Sequence, residues 1–206
     1  MNNNRGKLIF RYGAMSSGKS LQLLAMAHNF QEHGIPFVLI KSKIDDRDGD
    51  NVVHSRALGN RECVTVSTDD NLFDIIKTYQ EVGDDKLKWV LVDEAQFLTP
   101  EQVEQLAAVA DVLSIYVMCY GLRTDFKTKL FPGSMRLFEL ADTIEEIKSS
   151  CYCGHKTIFN ARMKGSKVIT EGAQVEIGGD DRYTSLCRKC YFEKTGHPLY
   201  NNIIEE

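Results

Sequence analysis

Residues 13–20 read GAMSSGKS, and no other stretch of the sequence says as much about the fold. They fit the pattern G-x-x-x-x-G-K-[ST], in which glycines let successive backbone N–H groups point into one concavity. The lysine and the final hydroxyl then serve phosphate groups and magnesium. Such a match is informative only between a strand and a helix, because the phosphate must lie at the positive N-terminal end of the helix.

Both flanks of this loop have the required character. Residues 7–12, KLIFRY, alternate apolar side chains in the manner of a strand. After the loop, Leu21, Leu24 and Ala25 recur at helical spacing, and Gly34 is positioned as a C-terminal cap. The context favours a phosphate-binding loop over its alternative, a tight turn that exposes a lysine.

Strand-like and helix-like patterns alternate through most of the chain. Apolar runs predict further strands at 36–41, 62–67, 88–94, 113–120 and 143–149. Helical spacing predicts helices at 69–81, 99–111 and 134–141, the second with a capping box from Thr99 to Gln102, whereas the polar stretch 42–60 predicts a loop. This alternation predicts an α/β fold, a P-loop (RecA-like) mostly parallel sheet flanked by helices.

The pattern changes after Ser149, where helical periodicity disappears and short β-like runs lie between glycines. We therefore expect two units, a P-loop ATP-binding α/β domain at 1–148 and a small β-rich zinc-ribbon domain with a C-terminal tail at 149–206. The second unit is too short to build an adequate hydrophobic core alone, a situation in which a structural metal is expected.

Four of the six cysteines supply ligands for such a metal. Cys151 and Cys153 form one close pair, and Cys187 and Cys190 form the other. Four thiolates in a small β-rich unit suit tetrahedral structural Zn²⁺ with no position open to water. His155 is a competing ligand because the first pair has a one-residue gap, and four reduced structural thiols are the alternative without metal.

An acidic pair follows a second apolar strand in KWVLVDEAQF. Asp93 ends this strand, at the edge where parallel sheets bind ligands, and is the candidate to hold Mg²⁺ together with Ser20. Glu94 follows immediately and is the candidate general base. The alternative is an exposed acidic pair that opens a turn. Together with the phosphate loop, the pair predicts chemistry on a nucleoside triphosphate.

Composition bounds the remaining possibilities. The 206 residues are 43% hydrophobic and 26% charged, which is ordinary for a globular protein. No apolar run approaches the ~20 residues of a membrane span, and the N-terminal residues have no apolar signal core. We therefore expect a cytoplasmic protein with no membrane partner. A net charge of −4 and a pI of about 5.8 provide no basic footprint for long nucleic acid.

Several motifs in their order along the chain together resemble the cellular-type (type II) thymidine kinase family, in its bacterial or phage-like form. They are GAMSSGKS, VDEAQF at 92–97, YGLRTDF at 120–126, the paired cysteines and IGGDDRY at 177–183. The resemblance implies transfer of the γ-phosphoryl group of ATP to the 5′-hydroxyl of thymidine. It also implies a zinc-bound lid formed by the second unit and a homotetramer.

The resemblance also assigns residues. It implies that ATP is bound by residues of the phosphate loop and of the acidic strand end, namely Gly13, Ala14, Met15, Ser16, Ser17, Gly18, Lys19, Ser20, Asp93, Glu94, Ala95 and Gln96. It implies that Glu94 is the base for the 5′-hydroxyl. The implied nucleoside-binding residues are Met15, Arg47, Phe97, Phe126, Phe131, Gln174, Val175, Glu176, Ile177, Gly178 and Tyr183.

The resemblance also implies roles for two arginines and for the lid segment, and three of the implied residues have an alternative role. Arg47, in a D-x-R pattern with Asp45, is expected to meet phosphate or sugar, and Arg162 is expected to reach the phosphates. The lid segment 174–178 is expected to contact thymine through its backbone, where glycine allows a close approach. The three phenylalanines of the nucleoside site are equally suited by residue type to a hydrophobic core.

Two other functions compete with thymidine phosphorylation. One is a nucleic-acid-stimulated P-loop ATPase with a zinc ribbon, since DEAQ is similar to the DExx boxes of helicases. The acidic pI argues against it, because a strand-tracking protein requires a basic groove. The other is a kinase for a different deoxynucleoside, which the phosphate loop and the base would serve equally well.

Overall fold

The computed structural model describes residues 5–45, 51–55, 58–83, 85–165, 167–174 and 183–198. Its main feature is a six-stranded parallel sheet in the order β5-β2-β6-β7-β1-β8. These strands are β1 (Leu8–Gly13), β2 (Phe37–Ser42), β5 (Val64–Val66), β6 (Trp89–Asp93), β7 (Tyr116–Gly121) and β8 (Thr143–Ile147). The predicted mostly parallel α/β architecture is confirmed.

Helices cover both faces of the sheet. They are α1 (Lys19–Glu32), α2 (Leu72–Val82), α3 (Pro100–Val112) and α4 (Pro132–Leu140), and a 3₁₀ turn spans Ala95–Phe97. The central strands are buried on both faces, so their side chains alternate between two cores. Val90 and Val92 pack with α2, α3 and α4, whereas Leu91 packs with α1 on the opposite face. Within the described residues, no helix is both long and apolar enough to cross a bilayer.

The strand register brings the site residues to one edge of the sheet. Asp93 at the end of β6 pairs with Lys41 of β2, and Gly13 at the end of β1 pairs with Ile147 of β8. Because all six strands run in the same direction, their carboxyl ends form a single edge. The loops that follow β1, β6 and β7 therefore meet in one region, where open α/β sheets bind ligands.

The helix predicted after the phosphate loop is present as α1, and its buried face is not the set of residues whose spacing indicated it. Leu21 is 40% exposed and Ala25 is also exposed, whereas Leu23, Ala27 and Phe30 are buried. The helix carries two apolar stripes that share Leu24, so spacing alone does not select between them. The position at which the helix crosses the sheet selects the second stripe.

The end of α1 agrees with the prediction. Gly34 has φ +60° and follows the C-cap His33, and the Ile35 N–H donates to the Phe30 carbonyl at 2.8 Å. Glycine adopts this left-handed conformation without steric cost, so the chain can turn toward β2 directly after the helix.

The predicted loop 42–60 is wrong over part of its length. It contains a two-stranded antiparallel hairpin formed by β3 (Val52–Ser55) and β4 (Gly59–Glu62). The pattern missed it because β4 is polar, with the sequence GNRE, and only one side of the hairpin is buried. Val53, 1% exposed, packs into the core beneath α1 and anchors the hairpin.

The second unit is built on a three-stranded antiparallel sheet. Its order is β10-β9-β11, with β9 (Phe159–Lys164), β10 (Lys167–Ile169) and β11 (Tyr183–Leu186). This confirms the β-rich character expected after residue 149. The boundary between residues 148 and 149 follows β8 directly and stays a prediction.

A helix, α5 (Arg188–Thr195), follows β11 and was not expected from the sequence. Its sequence RKCYFEKT is polar and lacks an apolar stripe, so periodicity does not indicate it. Cys187 is the N-cap residue directly before the helix, and its Sγ accepts the Cys190 N–H at 3.5 Å. The cysteine arrangement therefore sets the start of the helix.

The capping box of α3 provides a test of the local sequence signals. The Thr99 hydroxyl accepts the Gln102 N–H at 3.1 Å, and the Gln102 side chain accepts the Thr99 N–H at 3.1 Å. We predict that Thr99→Ala lowers the free energy of unfolding by about 1 kcal/mol in urea denaturation. Thr78→Ala, on the exposed face of α2, is the control and should change it by less than about 0.5 kcal/mol. Equal losses in the two variants would contradict the cap.

Candidate active site

The phosphate loop has the backbone that its sequence predicts. It leaves β1 at Gly13 and enters α1 at Lys19, with left-handed conformations at Ser16 (φ 56°) and Gly18 (φ 85°). Lys19 is 7% exposed, and its Nζ donates to the Ala14 carbonyl at 2.8 Å. The lysine therefore lies folded over the loop, with its ammonium group within the concavity.

The loop is packed too closely for side chains at its start. A Cβ atom on Gly13 would lie 2.5 Å from Ser17 Oγ and 2.7 Å from the Ile147 carbonyl oxygen, so only glycine fits. Within the described residues, Ser17 Oγ is buried without a hydrogen-bond partner. A buried hydroxyl in this state is unusual and points to a ligand that completes its hydrogen bonding.

Asp93 is a buried carboxylate directed at the phosphate loop. It is 4% exposed, and its Oδ1 accepts the Glu94 N–H at 3.0 Å. Burial, together with the negative charge of Glu94, raises the pKa of Asp93 to about 7, although Ser20 and Lys19 oppose the shift. Additional positive charge would stabilise the ionised Asp93 carboxylate. Its oxygens, with the Ser20 hydroxyl, therefore suit a hard divalent cation.

Glu94 has a strained backbone conformation and a fixed side chain. Its φ is 50°, which is unusual for a residue with a side chain and is a feature that recurs at functional sites. The Gln96 Nε2 donates a short hydrogen bond to Glu94 Oε2, and the Gln96 Oε1 accepts the Leu122 N–H at 2.9 Å. The second bond determines which end of the amide faces Glu94. Gln96 therefore orients the carboxylate.

This arrangement gives Gln96 a role that the sequence did not predict. Its side chain is 1% exposed, and Gly121 allows the approach because a Cβ there would lie 2.9 Å from Gln96 Oε1. The neighbouring Ala95 is fully buried at the start of the 3₁₀ turn. The ATP contacts expected of Ala95 and Gln96 stay predictions.

The aromatic candidates for the nucleoside site form two groups. Phe97 and Phe131 meet edge to face, with ring centroids 5.8 Å apart. Phe126 is 2% exposed, and the Arg162 guanidinium lies 3.8 Å from its ring centroid. Tyr183 completes the second group, because its hydroxyl accepts the Arg162 Nε–H at 2.9 Å. The structure brings these residues together in pairs, and their contact with a nucleoside stays a prediction.

Arg162 lies at the centre of the second group. It is 4% exposed, and its Nη2 donates to the Ala173 carbonyl at 3.1 Å. A Cβ atom on Gly172 would lie 3.4 Å from Arg162 Nη1. The arginine thus ties β9 to the segment before Gln174. Its contact with ATP phosphates stays a prediction.

Two further sets of candidates flank this region. Gln174 Nε2 donates to Asp125 Oδ2 at 3.1 Å, which joins the lid segment to the loop after β7. Asp45 is buried, with its Oδ2 3.5 Å from Lys41 Nζ. The remaining nucleoside candidates, Arg47, Val175, Glu176, Ile177 and Gly178, lie outside the described residues.

Two residues of the second unit hold the phosphate loop and were not identified from the sequence. Asn160 Oδ1 accepts the Met15 N–H at 2.7 Å, and Ser185 Oγ donates to the Met15 carbonyl at 2.7 Å. Asn160 also donates through Nδ2 to the Thr124 carbonyl at 3.3 Å. These bonds join distant parts of the chain through backbone groups, so no motif could have indicated them.

The four cysteines of the second unit converge. The Sγ atoms of Cys151, Cys153, Cys187 and Cys190 lie within 4.8 Å of one another, and those of Cys153 and Cys187 are 3.6 Å apart. A tetrahedral zinc site with bonds of about 2.3 Å places its sulfur atoms about 3.8 Å apart. His155 lies beside the group, with Nδ1 3.5 Å from Cys153 Sγ. The sulfur set fits zinc without the histidine.

Known proteins with similar sequences are thymidine kinases. The thymidine kinase family model matches residues 6–191. The chain is 45% identical over 191 residues to the thymidine kinase of Lactobacillus johnsonii, covering 90% of this chain and 96% of that protein. It is 46% identical over 184 residues to the thymidine kinase of Rhizobium meliloti, covering 89% and 94%, respectively. The thymidine kinase of Ruegeria pomeroyi is 46% identical over 193 residues, covering 93% and 96%. This chain belongs to the thymidine kinase family.

Proposed function

We propose that this protein is a thymidine kinase that transfers the γ-phosphoryl group of ATP to the 5′-hydroxyl of thymidine, with Glu94 as the general base. One observation carries the proposal. The phosphate loop after β1 and the acidic end of β6 lie at the same carboxyl edge of the parallel sheet, where Ser20 and Lys19 counteract the rise in the pKa of Asp93, in a chain of the thymidine kinase family. Neither competing function has a comparable observation in its favour.

ATP phosphates would bind in the loop of residues 13–20. The left-handed turns at Ser16 and Gly18 let consecutive N–H groups face the concavity, and α1 adds the positive end of its dipole. Lys19 would exchange its contact with the Ala14 carbonyl for phosphate oxygens, and Ser17 Oγ would gain a partner. Both changes favour the bound state, because phosphate oxygens give the Lys19 ammonium an oppositely charged partner and give Ser17 Oγ a hydrogen bond.

A divalent cation fits beside this loop. Ser20 and Asp93 would hold Mg²⁺, because hydroxyl and carboxylate oxygens are its preferred protein ligands. When bound, Mg²⁺ neutralises charge that develops on the β- and γ-phosphate oxygens. The buried Asp93, whose pKa is raised to about 7, would then be held as the ionised ligand.

Glu94 would remove the proton from the 5′-hydroxyl of thymidine. The hydroxyl oxygen forms a bond to the γ-phosphorus, the bond from that phosphorus to the β–γ bridging oxygen breaks, and its electron pair leaves with ADP. Gln96 keeps the accepting carboxylate in a fixed orientation, since its own amide is fixed by the Leu122 N–H. Orientation of the base matters because proton transfer requires hydrogen-bond distance to the substrate hydroxyl.

The nucleoside would be enclosed by aromatic side chains and by the lid segment. Phe97, Phe131, Phe126 and Tyr183 supply the apolar walls, and residues 174–178 would supply backbone groups for the edges of thymine. A site that hydrogen-bonds its ligand rejects analogues by leaving buried polar groups unpaired. Arg162 keeps the second aromatic group together through its contacts with Phe126 and Tyr183.

The cysteine group would hold structural Zn²⁺, which supplies folding free energy to a unit with a small core. That core contains Ala161, Leu186 and Tyr191 besides three of the cysteines, which is little for a unit of this length. From the family resemblance we also propose a homotetramer, which light scattering of the purified protein would test.

The activity is tested with a panel of nucleosides and labelled ATP. Thymidine should be phosphorylated at its 5′-hydroxyl, while single-stranded DNA should leave ATP turnover unchanged. Phosphorylation of another deoxynucleoside in preference to thymidine would replace the proposed substrate. Stimulation of ATP hydrolysis by DNA, without nucleoside phosphorylation, would replace the proposed class of enzyme.

The role of Glu94 is tested by Glu94→Gln. This change removes the proton acceptor with little change in shape, so we expect kcat for thymidine to fall by about 10²–10⁴-fold while ATP binding is retained. Glu101→Gln alters an exposed carboxylate in the first turn of α3 and is the control for loss of one negative charge. Near-normal turnover of Glu94→Gln would remove Glu94 from the role of base.

The metal site is tested by Cys187→Ser. Serine preserves the N-cap of α5 but is a poor zinc ligand, so the variant separates the helix start from metal binding. We expect elemental analysis to find about one zinc ion per chain in the wild type and much less in the variant, with a lower melting temperature. Cys63→Ser, outside the group, should retain the metal. Wild-type protein without zinc would end the proposal of a structural metal.

A further inference from the structure

One side chain joins the cysteine group to the predicted nucleoside pocket. Tyr191 follows Cys190 in α5 and is 4% exposed. Its hydroxyl donates to the Phe126 carbonyl at 2.5 Å, across 65 positions of sequence. Phe126 belongs to the loop 122–131, which connects β7 to α4. No other described contact between α5 and this loop is a side-chain hydrogen bond.

The position of Tyr191 is fixed on the side of the cysteines. Its N–H donates to the Cys187 carbonyl at 3.0 Å, within the turn that begins at the N-capping cysteine. Its ring packs against Phe159 and Phe192, with centroids 5.1 Å and 5.6 Å away. The position of the Tyr191 hydroxyl is therefore set by the packed aromatic rings and by the backbone of the turn that begins at Cys187.

On the other side, the bond ends at a residue of the predicted pocket. Phe126 lies under the Arg162 guanidinium, and Arg162 in turn bonds to Tyr183. The Phe126 carbonyl carbon is bonded to the Cα that carries the ring, so a displacement of this stretch of backbone also displaces the Phe126 ring and the groups stacked on it. The hydroxyl of Tyr191 thus holds the backbone at Phe126, one of the predicted walls of the pocket.

We propose that Tyr191 is a positioning residue for nucleoside binding, which couples the cysteine turn to Phe126 through its hydroxyl. The proposal rests on the proposed function, because it takes Phe126 as a wall of the thymidine site. The cysteine group would then have a second effect besides folding, because it places α5 and thereby affects the affinity for the nucleoside. The phosphate loop is held by other side chains, Asn160 and Ser185, and Asn160 also bonds to Thr124 in the loop 122–131, so loss of the Tyr191 hydroxyl should affect thymidine binding more than ATP binding.

Tyr191→Phe tests this inference in the zinc-loaded enzyme, because it removes one oxygen atom and retains the packed ring. Loss of a buried hydrogen bond predicts a rise of about 2- to 10-fold in KM for thymidine and in its calorimetric Kd. The KM for ATP should rise by a smaller factor than the KM for thymidine, and the zinc content should equal that of the wild type. Tyr116→Phe, at the amino end of β7, is the matched control and should change neither KM.

A double-mutant cycle separates positioning from general destabilisation. If the hydroxyl acts through Phe126, Tyr191→Phe should raise the Kd for thymidine less in a Phe126→Leu background than in the wild type. Equal effects in both backgrounds, or a parallel rise in KM for both substrates, would assign Tyr191 a merely structural role. An unchanged Kd for thymidine in Tyr191→Phe would also overturn the inference. These outcomes require an active wild type, whereas absence of thymidine phosphorylation in the wild type would instead end the proposed function.

Discussion

The site depends on a carboxylate that is buried beside another negative charge. Asp93 ends a central strand with 4% of its surface exposed, and Glu94 follows it directly. Such a pair is unfavourable in a protein interior unless positive charge and hydrogen-bond donors surround it. The phosphate loop supplies Lys19 and the Ser20 hydroxyl, and a divalent cation would supply the remainder. The same arrangement that makes the free site electrostatically unfavourable therefore favours binding of a nucleotide with its metal.

The small unit contributes to both halves of the site. Asn160 and Ser185 hold the two backbone groups of Met15 in the phosphate loop, while Tyr191 holds the carbonyl of Phe126. All three side chains bond to backbone groups, so formation of these hydrogen bonds does not require a particular side chain on the partner residue. A unit with little core of its own is thus bound to the large domain through hydrogen bonds at the place where the substrates are expected to meet. The cysteine group, beside Tyr191, would stabilise these attachments.

The outline of the fold could be predicted because its signals are local. The strand, loop and helix around residues 13–20, the capping box at Thr99 and the cysteine pairs all depend on residues close together in sequence. The features that the sequence patterns did not indicate share a different cause. The position at which α1 crosses the sheet determines which of its apolar stripes is buried. The polar strand β4 forms because it pairs with β3, and α5 begins after the N-cap Cys187. Each depends on a contact that periodicity does not contain.

The sequence by itself determined the chemical groups: a phosphate loop, an adjacent acidic pair and four thiols, each recognisable from residue type and spacing. Only the tertiary structure decided how these groups are held. Gln96 fixes Glu94 because the Leu122 N–H lies on the far side of its amide, and Tyr191 reaches Phe126 because two distant segments pack together. Backbone N–H and C=O groups are the partners in these contacts. Every residue except proline carries both, so sequence cannot reveal which of them a distant side chain will meet.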